Sequence, residues 1–232
     1  MVSAVDRLMV LPEAFRDTDV MASFGWTAKH TNEMLHRWKT KNLVTSLGKR
    51  LGVYANNLKV PESERTLAML NKMDPHFVDL THRTLSDAGW TTQFVNNTIV
   101  TSALLVGGDV VSDHGVLKYK PLRWWKTVFP GIIKKRDSEK GLHKLKPEWL
   151  LAESLFSRDK SLWCPDPDDL DFDEIEQNCT RNDWQAAFTA LAHYYNEDYK
   201  PSGASLEDEY ARLWHVVKSG NPANDTPDNE CA

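Results

Sequence analysis

The clearest chemical pattern in this chain lies between residues 27 and 41, where Lys29, His30, Asn32, Glu33, His36, Arg37, Lys39 and Lys41 alternate with Ala28, Thr31, Met34, Leu35 and Trp38. The second set recurs at three- and four-residue spacing, which predicts an amphipathic helix with Thr27 as its N-cap. On the polar side, lysine and arginine neutralise phosphates, while asparagine, glutamate and histidine carry the donors and acceptors that read base edges. Such a helix suits a DNA major groove. Further on, Gly48-Lys49-Arg50 separates the strand-forming LVTSL and GVYA and puts two cations at a hairpin tip. Lys39, Lys41, Lys49 and Arg50 are expected to hold phosphates, and Lys29, His30, Asn32, Glu33 and His36 to supply selectivity, with Arg37 beside them. The alternatives at this stage are a helical packing element used for protein contacts, and ordinary surface histidines at 30 and 36.

The other chemistry-bearing stretch is acidic: Asp166, Asp168, Asp169, Asp171, Asp173, Glu174 and Glu176. An EF-hand loop needs glycine at its sixth position and glutamate at its twelfth, and no register starting at Asp166 or Asp169 supplies both. Asp171-Phe172-Asp173 lacks the preceding Gly-Ser that would cradle a triphosphate. A Mg²⁺-dependent nuclease would instead combine Asp168 with Asp198 and Lys200. The plainer expectation is a solvated acidic loop or a partner-facing patch. No G-x-S-x-G, H-E-x-x-H or Walker loop occurs, so no catalytic residue, metal site or cofactor is expected. Cys164, Cys179 and Cys231 are odd in number and match no zinc spacing, which suits a reducing cytosol.

The 232 residues carry a net charge of −5, with 41% hydrophobic residues and nine tryptophans, enough apolar surface to close a core. Taken whole, the slight acidity argues against nucleic acid. The charge is not evenly spread, however. Residues 1–60 hold nine Lys/Arg against five Asp/Glu, 118–146 hold ten against two, and 147–232 hold six against nineteen. The second basic block contains Lys118, Lys120, Arg123, Lys126, Lys134, Lys135 and Arg136 around Trp124 and Trp125. It could extend a DNA footprint, meet an acidic partner, or neutralise the 166–176 run. No stretch approaches the roughly 18 apolar residues of a membrane span, and Asp6-Arg7 interrupts any signal-peptide core, so a cytoplasmic chain with no membrane partner is expected.

The elements that must position these residues can be read coarsely. A short helix over 3–10 would turn Val5, Leu8 and Met9 inward before Pro12, a second over DVMASF would end at Gly25, and the 28–40 helix and the hairpin follow. That is a winged helix-turn-helix over 1–60. Residues 61–220 read as a mixed α/β domain, making the chain α+β, and 221–232 as a disordered tail. Within the second domain, SERTLAMLNKM is a connecting helix, and a helix entered through Asp74-Pro75 runs to Gly89. TIVTSALLV, DVVS and VLKYKPL then suggest an antiparallel meander whose third strand shows Lys118 and Lys120 on one face. A helix entered through Pro147 would bury Trp149, Leu150 and Leu155. Helices near 182–195 and 205–218 close the domain, the last capped by Ser205 with Asp208 and stopped by Gly220.

A winged layout ending in GVYAN, followed by HFVDLTHRTLSDAGW, TIVTS and HKLKPEWLLAESLF, resembles the AbiEi family of type IV antitoxin transcriptional regulators. Its members run from a GxY wing through a helix of the type SLESALSxxG and a strand of the type ITVVT to a helix of the type A-xPExALLD. Thr81 to Gly89 and Pro147 to Leu155 hold the corresponding places. The likeness spans about residues 15–176, in pattern more than identity; Trp149 and Glu153 depart from it, and the chain past 180 is unmatched. The resemblance implies an N-terminal domain that binds operator inverted repeats in double-stranded DNA and represses its own operon. It also implies a C-terminal domain that counters a nucleotidyltransferase toxin. The rival readings are the Mg²⁺-dependent nuclease and a protein-interaction module that does not bind DNA.

Overall fold

The computed structural model describes residues 3–48, 51–93, 98–105, 107–112, 115–134 and 141–219. Lys49, Arg50, Lys135, Arg136, Gly220, Cys231 and the 221–232 tail lie outside them. The chain mixes helices and strands and forms two compact units, each assembled from separate stretches. The first takes 1–79, 97–121 and 134–144, and the second takes 80–96, 122–133 and 145–232.

The first unit begins with α1 (Ala4–Val10), opened by a capping box between Ser3 and Asp6. Strand β1 (Ala14–Arg16), α2 (Asp17–Phe24), α3 (Ala28–Thr40), β2 (Val44–Ser46) and β3 (Val53–Asn56) follow. The three strands form an antiparallel sheet of order β1-β3-β2, with Phe15 opposite Tyr54 and Thr45 opposite Ala55. Strand β1 was not foreseen, because three residues are too few to show alternation. Leu8, Leu11, Phe15, Val20, Leu35, Trp38 and Val44 make the core that joins α1–α3 to this sheet. The expected inward face of α1 is corrected: Leu8 is buried, but Val5 and Met9 are 48% and 56% exposed. Ala28, at the first turn of α3, is also exposed.

The opposite face of the same sheet is covered too. Leu47, Val53 and Ala55 pack with Met69 and Leu70 of α4 (Glu62–Met73) and with Phe77, Val100, Leu105 and Leu117. Lys72 pairs with Asp19 at 2.9 Å, and the Arg16 guanidinium donates to the Met73 carbonyl at the end of α4. The compact unit that holds this sheet runs on past residue 60 to 79 and takes in 97–121 and 134–144.

Instead of a helix from Asp74, the chain forms β4 (Val78–Asp79). Asp74 is 3% exposed and accepts hydrogen bonds from the Ser102 hydroxyl and the His76 backbone N–H, so the helix-start signal builds a buried turn. With β5 (Ile99–Thr101), β6 (Val110–Ser112), β7 (Gly115–Lys118) and β8 (His143–Leu145), the strands of this unit stand in the order β6-β7-β5-β4-β8. Only β6–β7 and β4–β5 are antiparallel; β5–β7 and β4–β8 are parallel, which replaces the expected meander. Gly115 explains part of this. Its φ is +132°, and a Cβ there would fall 2.3 Å from the Thr98 carbonyl oxygen, so only glycine lets β7 lie down beside β5.

The second unit is helical in the main: α5 (Arg83–Asp87), α6 (Leu122–Val128), α7 (Pro147–Phe156), α8 (Phe172–Asn178), α9 (Arg181–Tyr195) and α10 (Leu206–Ser219). Helix α7 is buried from Glu148 to Phe156, including two carboxylates. Buried Glu153 accepts from the Trp124 indole at 2.8 Å and the Tyr195 hydroxyl at 2.7 Å, tying α6 and α9 to α7. Buried Glu209 of α10 takes the Trp184 indole, the Tyr199 hydroxyl and both the N–H and hydroxyl of Ser202. Burial pushes the Glu209 carboxyl up, but these donors outweigh it and hold it below the ordinary value. The acidic run is not a plain loop. Asp166 caps a 3₁₀ turn over Pro167–Asp169, Asp171 caps α8, and Ile175 is buried. Ser205 caps α10 with Asp208 as expected. Among the described residues no helix is long and apolar enough to cross a membrane.

His82, just before α5, is buried edge-on to the Trp163 ring at 5.0 Å. Its ring nitrogens make no hydrogen bond of good geometry, and burial pulls its pKa down from 6.5 to about 4, against a small opposing effect of the Trp163 backbone. In the unfolded chain the imidazole charges at the higher value. Stability from this group is therefore complete above pH 6.5 and declines toward pH 4, by on the order of 3 kcal/mol. Urea midpoints at about pH 7 and about pH 4.5 should show this decline, and His82→Phe should remove that part of it without loss at about pH 7.

Candidate nucleic-acid interface

Helix α3 is set in place from both ends. Gly25 ends α2 in the left-handed region at φ +65°, where glycine is at ease, and its N–H donates to the Met21 carbonyl. Two residues later the Thr27 hydroxyl accepts from the His30 N–H and starts α3. Thr31, Leu35 and Trp38 face the core. Trp26, between the helices, lies 4.9 Å from the Phe24 ring and 6.1 Å from the Trp38 ring, with the Arg7 guanidinium 5.0 Å over it.

The other end is fixed by asparagines. Asn42 takes a left-handed φ of +53° after the helix, and the Asn57 amide donates to the Asn42 carbonyl at 3.0 Å. The Thr45 hydroxyl donates to the Asn57 side-chain oxygen, so the corner between α3 and β2 is clamped to the end of β3. Asn56, fully buried, donates to the Leu8 carbonyl at 2.8 Å and accepts from the Leu58 N–H. The Lys59 ammonium caps the end of α1 by donating to the Met9 and Leu11 carbonyls. The sequence reading missed Asn42, Asn56, Asn57 and Lys59 as positioning residues. Its available signal was the asparagine pair directly after a strand, since asparagine is uncommon in strands and apt to bond backbone.

What this scaffold displays is a polar face. Lys29, His30, Asn32, Glu33, His36, Arg37, Lys39 and Lys41 are all exposed. His30 stands edge-on to Trp26 at 4.7 Å, which steadies its ring. Glu33 lies one helical turn from both Lys29 and Arg37, yet among the described residues no ion pair engages Lys29, Arg37, Lys39 or Lys41. The five other described cations of the first 79 residues all have structural tasks: Arg7 over Trp26, Arg16 on Met73, Lys59 on α1, Arg65 on the Val60 carbonyl and Lys72 on Asp19. Lys49 and Arg50 lie outside the described residues, whereas Gly48 and Leu51 on either side are described. Gly52 sits at φ +63° against the Asp17 carboxylate, and the Asp17 N–H donates to the Gly52 carbonyl.

In the second basic block the described cations have varied surroundings. Lys118 is 8% exposed and paired with Asp109 at 2.8 Å, so the expected cationic face of that strand is turned inward. Lys120 is half-buried; Arg123, Lys126 and Lys134 are exposed, and Arg123 lies 5.5 Å over the Tyr194 ring. The block is divided between the two compact units, Lys118, Lys120 and Lys134 in the first, Arg123 and Lys126 in the second. For the nuclease reading, Asp168 is exposed, and Lys200 pairs with Asp198 with both side chains 82% exposed. Among the described residues no three His, Cys, Asp or Glu side chains are grouped so as to hold a metal. Comparison with known protein families, characterised proteins and solved structures gave no match.

The two asparagines should be unequal in weight. Asn56→Ala removes a fully buried amide that bonds the Leu8 carbonyl and the Leu58 N–H, and should cost about 1–3 kcal/mol, whereas Asn57→Ala, half-exposed, should cost about 1 kcal/mol. Urea unfolding with an unchanged m-value checks both.

Proposed function

We propose that this chain is a DNA-binding transcriptional regulator, a winged helix-turn-helix protein that reads operator repeats with α3. The observation that carries the reading is that four cations of α3 and its C-cap, Lys29, Arg37, Lys39 and Lys41, have no ion-pair partner among the described residues, beside five neighbouring cations that each have a structural contact. The order helix–strand–helix–helix–strand–strand, with a three-stranded sheet behind the third helix, supports the winged reading. Thirteen helical residues span about 20 Å, enough to lie along a major groove roughly 12 Å wide.

The roles divide by chemistry. Lys39 and Lys41 at the end of α3, with Lys49 and Arg50 of the hairpin, contact phosphates and give affinity that falls with salt. Asn32, Glu33 and His36, with Lys29 and His30 at the helix start, meet base edges. No reaction and no cofactor belong to this reading, and it places the protein in the cytoplasm with its DNA. The antitoxin part, a second half that counters a nucleotidyltransferase, is supported by the sequence pattern that resembles the AbiEi family.

Titration of the full chain against the DNA upstream of its own gene, at two salt concentrations, tests the proposal. Binding should be sequence-selective and weaken steeply with salt; no binding at low salt overturns it. Lys39→Ala with Lys41→Ala should weaken all duplexes alike and reduce the salt slope by about two. Asn32→Ala should cost about 1–3 kcal/mol on the preferred site and little on random DNA. Equal effects of the two variants on both duplexes would show that α3 is not the reading element.

A further inference from the structure

Away from α3, the first unit brings two imidazoles face to face. We propose that His76 and His143 form a binding site for one divalent transition-metal ion, with His76 Nδ1 and His143 Nε2 as ligands and water in the remaining positions. The two nitrogens are 3.5 Å apart, and the rings lie 5.8 Å apart at 26°. A nitrogen–nitrogen hydrogen bond is at its limit at that separation. Two nitrogens bound to one tetrahedral ion at about 2.0–2.1 Å are about 3.3–3.4 Å apart, close to the separation found, and each ring turns by roughly 35° to aim its lone pair at the ion.

The placement does not depend on the rings themselves. His143 stands on β8, opposite Val78 of β4 in the parallel pair, and its N–H donates to the Phe77 carbonyl at 3.1 Å. The His76 N–H is held by the Asp74 carboxylate at 2.9 Å, which also takes the Ser102 hydroxyl. Backbone bonds on both sides thus hold two ligands at metal spacing. His76 is exposed and His143 half-buried, so an ion reaches both from solvent.

The ligand type selects the ion. Imidazole nitrogen suits copper, nickel and zinc, and leaves magnesium and calcium, which need oxygen, unbound. Among the described residues no group of three or more His, Cys, Asp or Glu could hold a metal, so the site has two protein ligands and binds more weakly than a closed zinc site. Affinity should follow the order copper above nickel and zinc. The site is independent of the DNA-binding reading.

The test is calorimetric titration of the full chain, free of any histidine tag, with nickel, zinc and magnesium chlorides. One equivalent of nickel or zinc and no magnesium should bind. His76→Ala and His143→Ala should each lower the affinity at least tenfold, while His193→Ala on the exposed side of α9 leaves it unchanged. Circular dichroism checks that each variant is folded; should His143→Ala fail to fold, His76→Ala at its exposed position decides alone. Absence of nickel and zinc binding, or binding that His76→Ala leaves intact, overturns the proposal.

Discussion

Strand β3 pairs with β1 along one edge and β2 along the other, and side chains cover both of its faces. Tyr54 packs toward α1–α3, while Val53 and Ala55 pack toward α4 and the mixed sheet. At its end Asn56 reaches α1 through the Leu8 carbonyl, and Asn57 holds the corner after α3. The four residues of β3 and the one that follows thus tie α1, α3, both neighbouring strands and the next layer together. A buried amide bonded on both sides tolerates few alternatives, because each unmet group would cost about 1–3 kcal/mol. The polar face of α3 needs such support, since its exposed side contributes almost nothing to packing.

The same constraint explains where the sequence could be read and where it could not. Helix α3 was legible because Thr31, Leu35 and Trp38 keep helical spacing and Thr27 caps it, and α7 because Pro147 opens an apolar run. Strand β1 was not, being three residues long. Of the helix expected from Asp74-Pro75 to Gly89 only α5 forms, because the buried Asp74 carboxylate, which takes the His76 N–H, also binds Ser102, far along the chain. The parallel pairing of β5 and β7 depends on Gly115 meeting Thr98, a close approach that a turn-forming Asp-His-Gly does not announce. Long-range partners decided the last two cases, and local spacing carries no record of them.

Charge makes the same point for the candidate site. Counted along the chain, residues 118–146 are the more basic block, yet Lys118 serves Asp109, Arg123 lies over Tyr194, and the block is split between two compact units. The less basic N-terminal segment presents Lys29, Arg37, Lys39 and Lys41, all exposed, on one helix and its C-cap. Density of charge in sequence is thus a poorer guide than the absence of a structural task for each cation. In the second unit the reverse problem arises: Glu153 and Glu209 are charged residues used as internal fasteners, each joining a tryptophan indole and a tyrosine hydroxyl from other elements.

Backbone amide chemical shifts of the full chain, followed as its upstream DNA is added, test the central claim most directly. The account predicts that the largest changes fall between residues 27 and 41 and around the 48–52 hairpin. Changes concentrated in the α7–α10 helices, with residues 27–41 unmoved, would contradict it.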